Sequence, residues 1–138
     1  MPRRTAALEA GLVYFATVFA VGFLLGTVRT LLVLPRVGPV WAVALELPLM
    51  LAASWLLCGW TLRRFGVPAG APRVLMGTVA LGLLLLAELT LAVALGEGLR
   101  AFFSGLVTPA GALGLAGQLA FGLFPALRSR QPAAEQDG

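Results

Sequence analysis

Four stretches of this chain, about residues 8–34, 40–62, 74–95 and 109–127, are almost wholly apolar, and short polar segments separate them. Each is close to the roughly 20 residues that cross about 30 Å of hydrocarbon as a helix. The segments between them carry turn chemistry. "PRVGP" (35–39) has a proline at each end and a glycine between, and "RRFGVPAGAPR" (63–73) is a basic loop with no helical pattern. "GEGLRAFFSGLV" (96–107) is more polar and sets Phe102 beside Phe103, which suits a segment lying along the interface. Thr108 then reads as an N-cap with Pro109 at the first helical position. The pattern predicts an all-α membrane protein, a four-transmembrane-helix bundle in one domain over residues 1–127, followed by a short disordered tail, 128–138.

Composition agrees. Of 138 residues, 59% are hydrophobic and 12% charged, and a soluble domain of this size needs a larger polar share to cover its surface. "MPRRTAALEAGLVYFATVFAVGFLLG" begins as a signal peptide does, but its apolar part runs long and lacks a small-x-small cleavage site, so it reads as an uncleaved first span. Trp41 is placed near one interface and Trp55 with Trp60 near the other, in the manner of an aromatic belt. An offset of 60 residues aligns Ala20 with Ala80 and Gly22 with Gly82. The match does not extend to spans two and four, so no transporter-type repeat is read.

All ten basic residues are arginine. Seven fall on one side of the expected bundle (Arg3, Arg4, Arg63, Arg64, Arg73, Arg128, Arg130) and three on the other (Arg29, Arg36, Arg100). The positive-inside rule then puts both termini in the cytoplasm. It also explains the net charge of +4 without a nucleic-acid partner.

Three charges remain inside the apolar runs. Arg29 and Glu46 lie equally far on either side of the boundary between Val37 and Gly38, so an antiparallel hairpin holds them at one depth, roughly 10 Å below the surface. Glu88 stands eight residues before Gly96 and reaches the same layer from span three. An ionised group in lipid is costly unless paired, so Arg29, Glu46 and Glu88 are expected to face one another as an intramembrane polar cluster. The expected pairing is Arg29 with Glu46, which leaves Glu88 as the carboxyl that holds a proton. Gly22 and Gly26 share a face with Arg29, and Gly111, Gly114, Gln118 and Gly122 fall near one stripe of span four. These are expected to be helix-packing positions. Pro48 is expected to kink span two. Glu97 and Arg100 read as a solvated pair.

Several function classes drop out. There is no histidine, the one cysteine is Cys58, and the one aspartate is Asp137. No metal site, cofactor ligand set or activated nucleophile is therefore expected, and the chain is read as non-enzymatic with no cofactor. Its partners are expected to be the lipid bilayer and either another membrane protein or a second copy. Two functional readings follow. The first is an accessory or scaffold subunit that packs against a larger membrane complex. The second is a small homo-oligomeric transporter or proton-conducting protein that uses the Arg/Glu cluster.

The stretches "GFLLGTVRTLLVLPRVGPVWAVALELPLMLAASW" (22–55), "AELTLA" (87–92) and "TPAGALGLAGQLAF" (108–121) are similar to a group of short four-span inner-membrane proteins of proteobacteria. That family has no known activity. The resemblance implies the four-span topology and a bacterial inner-membrane address.

Overall fold

The structure, a computed structural model, describes residues 2–128. The expected tail beyond Arg128, with Arg130, lies outside the described residues. The chain forms α1 (Pro2–Val28), a π-helical segment (Arg29–Val33), α2 (Leu34–Val37), α3 (Pro39–Phe65), α4 (Ala71–Ala94), α5 (Leu99–Leu106) and α6 (Pro109–Arg128). Four continuous helices, Arg4–Val37, Pro39–Phe65, Ala71–Ala94 and Pro109–Arg128, are long and apolar enough to cross a membrane. The first two extend a few residues beyond the apolar runs because flanking polar residues continue the same helical turns.

Local chemistry sets the boundaries. Gly38, at φ +83°, separates α2 from α3, and Pro39 follows at the first helical position. At the far end of α3, Gly66 takes the left-handed conformation, and the Val67 N–H reaches back to the Leu62 carbonyl at 3.2 Å. This is a Schellman closure, with Leu62 and Val67 both buried. Thr108 caps α6: its hydroxyl accepts from the Gly111 N–H at 3.1 Å. The π-helical segment ends two residues before Pro35, and the Leu34 N–H bonds to the Arg29 carbonyl, five residues back. Pro35 has no N–H for the preceding turn, and the backbone there adopts the wider spacing. α3 is helical on both sides of Pro48.

α1 packs on α3 and α4, and α6 packs on the same two helices. α1 and α6 therefore stand at opposite corners of a four-cornered bundle. Packing is uneven along its length. The core gathers at the end where α1 starts, α3 ends, α4 starts and α6 ends: Ala7, Tyr14, Cys58, Met76, Ala80 and Phe121 are among its buried members. Small residues bring the helices together there. A Cβ on Gly11 would meet the Met76 carbonyl oxygen at 3.0 Å, and one on Gly77 would collide with the Gly122 carbonyl of α6. Tyr14 spans the α1–α6 diagonal, its ring stacked on Phe121 at 4.3 Å. Toward the other end the same helices separate.

Candidate functional site

The separated half encloses a cavity of about 800 Å³. It runs from Leu95 and Glu97, both exposed beyond the end of α4, down to Val18 and Phe121 at the edge of the core. Each spanning unit contributes a polar side chain to its wall: Arg29 from the π-helical segment, Glu46 from α3, Glu88 from α4 and Gln118 from α6. The rest of the lining is mainly apolar, with Phe19, Phe23, Leu47 and Leu84 among it.

Two polar contacts organise the wall. The Arg29 guanidinium donates through Nη1 to Glu46 Oε2 at 2.6 Å, with the two side chains 35% and 12% exposed. A charge-assisted contact this short offsets much of the cost of placing either group within the bilayer. Glu88 is turned elsewhere. Its Oε1 accepts from Gln118 Nε2 at 2.5 Å. The cluster is thus two pairs on one cavity, an ion pair joining the first two spans and a carboxyl–amide pair joining the last two. Gln118 Oε1 is buried and accepts no hydrogen bond.

The glycines divide into two kinds. At Gly111 a Cβ would collide with the Gly105 carbonyl of α5, and at Gly122 it would press on Leu81 at 3.0 Å. These two are close-approach positions. Gly22, Gly26 and Gly114 instead line the cavity. Gly114 has nothing within 4 Å of an added Cβ, and Gly26 has only an Arg29 Nη2 nitrogen at 3.7 Å. At Gly26 and Gly114 the missing side chain leaves space where the sequence pattern predicted a helix contact, whereas a Cβ on Gly22 would press on the Met50 side chain of α3 at 3.3 Å.

Other readings are corrected by geometry. Glu97 and Arg100 make no ion pair with one another, and Glu97 lies at the cavity rim. The Trp55 ring meets Phe124 edge-on at 5.1 Å and carries the Arg128 guanidinium on its face at 4.1 Å. Trp41 and Trp60 are exposed.

Three features have weak sequence signals. Tyr14 donates its hydroxyl to the Phe121 carbonyl at 2.7 Å. The partner of that carbonyl along α6 would be residue 125, which is proline, so a proline four residues after an aromatic was the available clue. Arg73, counted among the loop arginines, is 5% exposed and donates from Nε to the Val67 carbonyl at 3.2 Å. Arg128 donates to the Trp55 carbonyl at 2.8 Å and packs over Gly59, where a Cβ would leave it no room. Among the described residues no group of three or more His, Cys, Asp or Glu side chains is placed to hold a metal ion.

No family model, curated protein or solved structure matches this chain.

Proposed function

We propose that this protein is a non-enzymatic carrier of a bacterial inner membrane, which takes a small solute into its intramembrane cavity and passes it across the bilayer. One observation supports the reading above others: polar side chains from all four spans face a single cavity that is open at one end and stopped at the other by Phe121, which stacks on Tyr14. An ion pair that only fixed helix register needs no such space. The volume falls within the range of sites that enclose small molecules. Intramembrane carboxyls on a cavity wall are the usual markers of a solute or ion path.

The arginine distribution supports the orientation. Arg4, Arg63, Arg64, Arg73 and Arg128 lie toward the tightly packed end, and Arg29, Arg36 and Arg100 toward the open one. By the positive-inside rule the packed end and both termini are cytoplasmic, and the cavity opens outward. An accessory-subunit reading draws on exposed leucines such as Leu24, Leu31, Leu56 and Leu86. Hydrocarbon covers that surface without a partner, and the reading gives the cavity no task.

The test is water access. In a Cys58→Ala background, Gly114→Cys and Leu51→Cys line the cavity, while Leu86→Cys faces lipid. A membrane-impermeant maleimide applied to intact cells is expected to label the first two and spare the third. Failure to label either cavity position overturns the reading.

A further inference from the structure

The charges on the cavity wall do not cancel. Glu46, Glu88 and Glu97 line it against a single guanidinium, that of Arg29. Arg29 is committed to Glu46. Glu88 has a neutral partner, the Gln118 amide, whose carbonyl oxygen accepts nothing. The deep polar face at Glu88 therefore presents a carboxyl group whose hydrogen-bond partner is neutral. Around it stand apolar groups, including the rings of Phe19, Phe23 and Phe121.

We infer that the solute is a bulky organic monocation, seated with its charge at Glu88 and its hydrocarbon against the phenylalanine and leucine walls. This rests on the reading of the cavity as a solute site. An anion entering the cavity passes Glu97 by the rim and finds no free counter-charge at Glu88. A neutral apolar solute fills the space but offers no counter-charge when the Glu88 carboxyl gives up the proton it is expected to hold. A cation supplies that counter-charge, and the aromatic faces add to its attraction.

Two ions of one shape and opposite sign isolate the charge. The full chain in nanodiscs is titrated with tetraphenylphosphonium and with tetraphenylborate, and bound ion is measured by equilibrium dialysis against empty nanodiscs. The phosphonium is expected to bind saturably and the borate at least about tenfold more weakly. Glu88→Gln is expected to weaken phosphonium binding by a similar factor, and Glu88→Asp, which keeps the charge, to retain most of it. Equal binding of both ions, or phosphonium binding indifferent to Glu88→Gln, overturns the inference. So does a lack of saturable phosphonium binding by a protein whose Gly114→Cys variant still labels from water. If Gly114→Cys and Leu51→Cys both fail to label, it is the carrier reading beneath that falls.

Discussion

The Tyr14 hydroxyl, 2.7 Å from the Phe121 carbonyl, takes the place of the backbone N–H that Pro125 cannot provide. One side chain of α1 thereby completes the hydrogen bonding of α6 across the diagonal of the bundle, and its ring stacks on the residue it bonds. The contact is also the floor of the cavity. Tyr14→Phe is expected to lower stability by about 1–2 kcal/mol, the cost of leaving a buried carbonyl unpaired. In a Pro125→Ala background the helix supplies its own donor, and the same substitution is expected to cost less than half as much. Reversible unfolding in mixed micelles, carried out as a double-mutant cycle, measures the difference.

The two polar pairs are expected to respond differently to loss of a partner. Arg29→Ala strands Glu46, which is 12% exposed, without a counter-charge, and is expected to cost about 2 kcal/mol after allowance for the partial exposure of Arg29. Glu88→Gln keeps a carbonyl to accept from Gln118 and reproduces a neutral, protonated carboxyl, so it is expected to leave the melting temperature within about 2 °C of wild type. A larger drop for Glu88→Gln than for Arg29→Ala would reverse the assignment of the ion pair as the structural one.

Close helix approach predicts a contrast between two glycines of α4. Gly77→Ala drives a methyl group into the Gly122 carbonyl and is expected to destabilise by roughly 1–3 kcal/mol. Gly82→Ala meets nothing within 4 Å and is expected to be neutral, or stabilising by about 0.5–1 kcal/mol through helix propensity. Thermal unfolding of the pair in the same detergent checks both.

Filling the cavity separates its role from that of the fold. Gly114→Leu projects into open space on the cavity wall and is expected to keep the melting temperature near wild type. The same variant is expected to suppress maleimide labelling at Leu51→Cys by about tenfold or more, because a leucine side chain takes up a large part of the route inward. Labelling that persists unchanged would show that water reaches Leu51 by another path.

How much of this the sequence discloses depends on the range over which each signal acts. The four spans are legible because hydrocarbon imposes a length and an apolarity on every residue in a window. The Arg29–Glu46 pair is legible because the break between the first two spans is short, reduced in the structure to Gly38 alone, and fixes the register of the helices it joins. Glu88 and Gln118 have no such shared turn: α5 and its flanking loops lie between them, so their depth was readable and their partnership was not. The small residues were visible but their sense was not, since Gly77 and Gly114 look alike in sequence and only the neighbouring helix decides whether one admits a backbone and the other leaves a void. The π-helical segment gave Pro35 as its one clue, and Arg73 resembled any other loop arginine until the Val67 carbonyl was found beside it.

The loop between α3 and α4 is held at both of its ends. The Schellman closure at Gly66 buries Val67, and Arg73 clasps the Val67 carbonyl from the first turns of α4. The connection between these two diagonal helices is therefore fixed by their own ends. α1 and α6 meet across the other diagonal through the Tyr14–Phe121 contact. Both diagonals are thus fastened at the packed end, which leaves the shape of the cavity to the far halves of the helices.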